Sequence, residues 1–368
     1  MKILYGVQGT GNGHISRARA LNRELKLLGA EIDFIFSGRN ANDYFALDEF
    51  PKRAIYHGLH LAYTGGKVDF VQTWQKNKLP LVYSEINALD TRSYDLVISD
   101  FEPITAWAAK LQRTRCLTLG HQYAFNHAVP IADETLFSRQ LLKAVAPSEL
   151  ALGLHWYHFD QPILPPIIQN LSSSACERGY YLVYLPFEDR QDIIDFLEPL
   201  ESHSFICFGP YRSVEKVSNI LFRPCSANDF HPALCGARGV ISNAGFELTS
   251  EALQLGIKLL VKPLQGQMEQ VSNARALVEL GLGLAMSRLD PRQLHYWLNN
   301  FQPRKITYPN VARAIAQWIN KGNITLEPNR HLSRQEAQKT IARLAADLWS
   351  QTDFSATPWL ISRRKNAA

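Results

Sequence analysis

Residues 239–283 read GVISNAGFELTSEALQLGIKLLVKPLQGQMEQVSNARALVELGLG, and the order of residue types in them decides the fold. A short apolar run at 239–242 is followed by a glycine at 245, a helix over 246–255, a second apolar run at 258–261 and a helix over 269–280. Strand, turn, helix, strand, helix is the signature of a parallel sheet with crossover helices.

The same alternation continues outward in both directions. Strands are expected at 2–7, 32–37, 96–99 and 116–119, and again at 181–185 and 205–208. The first helix is expected over 14–28, where Ile15, Ala18, Leu21, Leu25 and Leu28 recur at helical spacing and Gly29 ends it. Between the two halves lies FDQPILPPIIQNLSSSACERG (159–179), in which Pro162, Pro165, Pro166 and a run of serines suit an extended connector. The expected organisation is one α/β domain over 1–160, a linker over 161–178, a second α/β domain over 179–325, and a C-terminal helix and tail over 326–368. Two Rossmann-like parallel-sheet domains then face each other across a cleft, lined by the loops at the carboxyl ends of the strands.

Composition agrees with two cores, because 368 residues at 46% hydrophobic exceed what a single core ordinarily organises. A formal charge of +5, with lysine and arginine scattered along the chain, favours a small anionic ligand over nucleic acid. Five cysteines, an odd number without a C-x-x-C pair, read as reduced thiols and not as a disulfide framework or a zinc site. The opening run ILYGV is too short for a signal-peptide core, and no stretch has the length of a membrane span. A cytoplasmic protein is expected, with peripheral contact at the inner membrane face left open.

The N-terminal loop GVQGTGNGHISRARALNREL (6–25) fails two familiar glycine motifs. A dinucleotide fingerprint beginning at Gly9 and Gly11 needs a glycine where His14 stands. A Walker A loop needs a lysine that the residues after Gly11 do not supply. What remains, with Gly11 and Gly13, is a flexible loop running into a helix N-terminus, which presents unpaired N–H groups to an anion or is simply a tight turn. His14 at the helix start is placed to take a proton from a hydroxyl.

In LVISDFEP (96–103) a buried strand ends on Asp100. That acid is either the cap of the helix beginning at Pro103 or the partner that fixes the tautomer of His14. Asp100 and Glu102 together also have the form of a metal-binding acid pair. In the segment quoted first, Gly245 opens a helix whose N–H groups suit a diphosphate. Glu251 follows on that helix, either exposed or holding two ribose hydroxyls, and Gln265, Gln267, Glu269 and Gln270 gather polar side chains after the next strand.

Residues 242–283 resemble the donor-binding segment of two-domain, GT-B-fold glycosyltransferases, a group that includes the UDP-sugar transferases and the N-acetylglucosaminyltransferase of peptidoglycan lipid-intermediate synthesis. The pair of motifs GHISR near the start and GQMEQ late in the chain looks closest to a prokaryotic branch of that group. The resemblance covers roughly residues 1–300. It implies a sugar transferred from a nucleotide-diphosphate sugar, with uridine diphosphate as the nucleotide, to an unidentified acceptor hydroxyl, by inversion and with neither metal nor cofactor.

Carried over residue by residue, the resemblance places Ala244 and Gly245, with Asn243 and Phe246 beside them, at the donor phosphates and Glu251 at the ribose. Gln265, Gly266, Gln267, Glu269 and Gln270 fall at the transferred sugar or the ribose, with Asn273 just beyond. Gly11 and Gly13 lie on the donor's other side, and His14 and Asp100 take the catalytic positions. Asn243 departs from the histidine of many relatives, and Ala244 from the first of two glycines. A nucleotide-sugar epimerase of the same fold and a non-catalytic nucleotide-sugar sensor remain as alternatives. A dehydrogenase is disfavoured by the missing fingerprint.

Overall fold

The computed structural model describes residues 1–44, 47–60, 63–68, 72, 73, 75, 77–132, 143–169, 179–322 and 334–354. Of the sequence expectations, residues 170–178 of the linker and the ends of the C-terminal segment lie outside this set.

Apolar runs without polar interruption become interior strands, because a parallel strand is covered on both faces. The first sheet takes β1 (Lys2–Gln8), β2 (Glu31–Ser37), β3 (Arg53–Ile55), β6 (Leu96–Asp100), β7 (Cys116–Gly120) and β8 (Leu150–Gly153). It is six-stranded in the order β3-β2-β1-β6-β7-β8, and every pairing is parallel. A hairpin of β4 (Tyr63–Thr64) and β5 (Lys67–Val68) stands apart from it. Its helices are α1 (Asn12–Leu27), α2 (Leu79–Ala88) and α3 (Pro103–Gln112).

The second sheet takes β9 (Tyr180–Tyr184), β10 (Ser204–Gly209), β11 (Glu215–Val217), β12 (Ile220–Pro224), β13 (Ala237–Ser242), β14 (Lys258–Val261) and β15 (Leu284–Ala285). It is seven-stranded in the order β11-β12-β10-β9-β13-β14-β15, and only the edge pair β11-β12 is antiparallel. Its helices are α4 (Arg190–Leu197), α5 (Ala227–Cys235), α6 (Phe246–Leu255), α7 (Met268–Glu279) and α8 (Pro291–Asn300). Then α9 (Val311–Asn320) returns to pack along α1, and α10 (Arg334–Ser350) packs against α9 and β8.

Each sheet reverses its winding once, and both reversals matter for function. In the first sheet the chain moves outward from β1 through β2 to β3, then restarts on the other side at β6. In the second it moves from β9 through β10 to β12, then restarts at β13. Crevices at such switch points are where open α/β sheets bind ligands. They bring the glycine loop beside Asp100, with Val7 in register with Asp100, and the loop after β9 beside Asn243, with Tyr184 in register with Ser242.

The domains are packed together along these edges. Trp156, fully buried, donates from Nε1 to Ser250 Oγ at 2.9 Å. Phe246 stacks on His121 at 4.1 Å between ring centroids and on Trp156 at 5.3 Å. Among the described residues no helix is long and apolar enough to cross a membrane.

Candidate active site

The site is assembled from the carboxyl ends of β1 and β6 on one side and the N-terminus of α6 on the other. Gly11, in extended conformation, is the N-cap of α1, and His14 falls in its first turn. Asp100 ends β6 fully buried. His14 Nδ1 lies 2.7 Å from Asp100 Oδ1 and 2.8 Å from Arg17 Nη2; in the tautomer whose Nδ1–H donates to the carboxylate, Nε2 is the basic nitrogen. The His14 side chain keeps 12% of its surface exposed, enough for a reactant to reach it.

Asp100 is not a helix cap. The chain turns sharply at Phe101, in the left-handed region at φ 52°, and delivers Glu102 to the N-cap of α3. Its carboxylate accepts from the backbone N–H groups of Ile104 at 2.9 Å and Thr105 at 2.7 Å, and from the hydroxyls of Ser37 and Thr105. Burial raises the Glu102 carboxyl above its ordinary value, and these donors oppose the rise. With one acid in a cap and the other on His14, the pair does not form the metal-binding arrangement that its spacing allowed. Among the described residues no group of three or more histidine, cysteine and acid side chains is placed to hold a metal ion.

Two residues that the sequence reading passed over complete the site. Arg17, one helical turn after His14, is 1% exposed. Its Nε donates to Asp100 Oδ2 at 2.7 Å and its Nη2 to Asp100 Oδ1. Its Nη1 donates to Glu247, the second residue of α6, across the domain boundary. Burial works against the guanidinium charge, and the carboxylates of Asp100 and Glu247 outweigh it, raising its already high pKa further. Asp100 shows the converse. Burial alone would raise its carboxyl, yet Arg17 and His14 hold it below the ordinary range. The spacing of Arg17 from His14 on one helix face was the available signal.

Gly13 is needed for this contact, since a methyl group there would collide with the Glu247 carboxylate. Gly66 has the same property at the hairpin tip, where a Cβ would meet the side chains of Lys262 and Glu188. The tip is held by Gly66 N donating to Phe187 O at 2.8 Å and Gln265 N donating to Gly66 O at 3.0 Å. Lys262 and Glu188 form a buried ion pair at 2.6 Å. Beside them, a polar cavity of about 390 Å³ is lined by Lys67, Glu188, Asp192, Lys262, Gln265 and Arg288, among others.

On the donor-like side, Gly245 is the N-cap of α6, with open space where a side chain would project. Asn243 is buried, donating to Lys262 O at 2.9 Å and to Glu188 at 3.3 Å, while its Oδ1 has no partner. Ser242 Oγ is likewise buried without a partner. Ala244 is buried, and its carbonyl accepts from Asn273 at 2.9 Å.

Glu251 is not an exposed helix acid: it is 6% exposed and faces α1. Burial, and after it Glu247, pushes its carboxyl up to about 8, against a hydrogen bond from Ser16. His231 Nε2 lies 3.8 Å away.

The polar residues after β14 do not form a single cluster. Gly266, at φ 79°, makes the turn, and Gln267 is the N-cap of α7. Gln270 accepts from Leu264 N at 2.9 Å and so braces its own loop. Glu269 reaches the first domain, accepting from Gln122 Nε2 at 3.0 Å. Gln265 meets the hairpin tip through its backbone.

The sequence from 1 to 302 matches the model of glycosyl transferase family 1. The chain belongs to that family. Among curated proteins none matches the sequence of this glycosyltransferase. Solved structures similar to the enzyme include the glycotransferase of kitacinnamycin, at 13% identity, TM-score 0.56 and coverage of 96% of this chain and 99% of that one. UGT89C1 of Arabidopsis thaliana complexed with UDP is similar at 13% identity, TM-score 0.53 and coverage of 95% and 99%. SnogD from Streptomyces nogalater is similar at 15% identity, TM-score 0.50 and the same coverage. The transferase therefore has the GT-B fold, with two parallel-sheet α/β domains.

Proposed function

We propose that the enzyme transfers a sugar from a nucleotide-diphosphate sugar, with uridine diphosphate as the nucleotide, to an acceptor hydroxyl with inversion at the anomeric carbon and without a metal ion. The observation that carries this reading is the 2.7 Å contact between His14 and Asp100 at one switch point, facing the N-terminus of α6 at the other. His14 Nε2 takes the acceptor proton as the oxygen attacks, and Asp100 stabilises the imidazolium that forms. The free N–H groups after Gly245 receive the departing diphosphate. Glu251 holds the ribose once the Ser16 hydroxyl yields its place. UGT89C1, a similar structure, carries UDP. The acceptor enters from the first domain, and nucleic acid has no part.

A thermal-shift panel of nucleotides and nucleotide-sugars tests the donor. A ligand at about 100 times its dissociation constant adds about 2.7 kcal/mol of stability. Absence of a shift with every uridine and thymidine diphosphate would refute the donor assignment. Product analysis with donor alone separates transfer from epimerisation, since an epimerase converts its donor without any acceptor.

A further inference from the structure

The two edges of the Arg17 guanidinium face different domains. Nε and Nη2 hold Asp100 within the first domain, whereas Nη1 crosses to Glu247. An acid in the first turn of a helix ordinarily serves that helix's own N-terminus. The Glu247 carboxylate instead reaches over to Gly13, in the first turn of α1. That turn has no acidic residue of its own, and its N-cap, Gly11, offers no side-chain cap. A guanidinium edge, a helix N-terminus and a glycine that admits close approach make a cradle for an anion. The anion held there is supplied by the protein.

A second observation comes from the facing junction. Ser242 Oγ and Asn243 Oδ1, both buried, are unpartnered in the turn that leads to Gly245. Buried polar atoms in native structures are nearly always bonded; of these two, the Ser242 hydroxyl can donate to an anion, whereas Asn243 Oδ1 accepts only and would need a donor.

We propose that Arg17 Nη1 and the N-terminus of α1 form a diphosphate site, which Glu247 occupies as an internal counter-ion until the donor's diphosphate displaces it. The proposal rests on the nucleotide-sugar reading above and adds to it a cation from the acceptor-side domain. A diphosphate on the N–H groups after Gly245 lies against the first turn of α6, where Glu247 stands. Two anions cannot share that position without a cation between them, and Arg17 pairs with phosphate as readily as with carboxylate. Donor binding thus exchanges one anion for another on the same guanidinium, and the leaving diphosphate departs with Arg17 beside it.

Titration calorimetry with inorganic pyrophosphate, UDP and UDP-glucose on the full-length enzyme and Glu247→Gln tests this, with Glu247→Ala as a second variant. Both variants keep Arg17 paired with Asp100. Pyrophosphate is expected to bind either variant at least about tenfold more tightly than it binds the wild type, as removal of a competing charged partner requires. Adding Arg17→Met together with Asp100→Asn, which leaves no buried charge unpaired, is expected to abolish that gain. Equal pyrophosphate affinity in wild type and both Glu247 variants, with UDP still bound by all, overturns the proposal and leaves the donor reading standing. Failure of every variant and the wild type to bind any of the three overturns both.

Discussion

Glu251 offers a test in which stability and binding move in opposite directions. In the folded protein its carboxyl is pushed from an ordinary value of 4.5 up to about 8, first by burial and then by Glu247. Between those values the folded state keeps a proton that the unfolded chain has released. Unfolding is therefore favoured increasingly as pH rises through that window, and below it the group contributes no difference. At about 1.4 kcal/mol per pH unit, the shift amounts to roughly 5 kcal/mol lost at the alkaline end. Glu251→Gln removes the titration while keeping the shape of the side chain. Urea unfolding at about pH 5, 7 and 9 should show wild-type stability falling by several kcal/mol relative to the variant, with the two nearly equal at the acid end. Above about pH 8, where the carboxyl is ionised, UDP affinity should fall in the same variant, because a carboxylate that accepts from two ribose hydroxyls has been replaced. Parallel stability profiles would refute the buried protonated carboxyl. Unchanged UDP affinity in that range would refute the ribose assignment.

Other expectations follow from contacts described above. His14→Ala should slow transfer by about 10²–10⁴-fold while leaving UDP affinity intact, and an unchanged rate at saturating donor would remove His14 from the mechanism. Gly13→Ala should cost about 1–3 kcal/mol in chemical denaturation through the clash with Glu247, and Glu247→Ala in the same chain should restore most of it. Lys262→Met should cost about 3–5 kcal/mol by stranding the buried charge of Glu188, whereas Lys262→Met with Glu188→Leu should unfold close to the wild-type midpoint.

The fold was legible because its central strands are uninterrupted apolar runs separated by glycine-terminated helices. Residues 258–261 and 246–255 adopt the expected strand and helix without adjustment. Edge strands escaped notice for a physical reason: Arg53–Ile55 is exposed throughout and, at three residues, too short for an apolar run or an alternation to register. At the site, residue type left Asp100 with more than one role. The left-handed turn at Phe101, which hands the cap to Glu102, settles its position. Arg17 and Glu247 were illegible as a pair because 230 positions separate them and neither is apolar. A charge reads as solvated until the partner that buries it is known. The glycine alternation at 9–13 had no local explanation for Gly13, whose missing side chain makes room for an acid from the other domain.

The return of α9 and α10 to the first domain means that the polypeptide passes between the two sheets twice. The outgoing passage follows β8 and the returning one follows α8, and they touch where Tyr308 donates to Trp156 O at 3.1 Å. The return is further fastened where Thr307 and Asp353 pair and where Trp349 donates to Ile163 O at 2.6 Å. A single tether would let one body swivel about any axis. Two tethers fixed side by side leave chiefly one rotation, about the line that joins them, as a door has on a pair of pins. Any rotation of one domain on the other is thereby restrained to the line of these two crossings, a constraint that favours the register in which Glu247 meets Arg17.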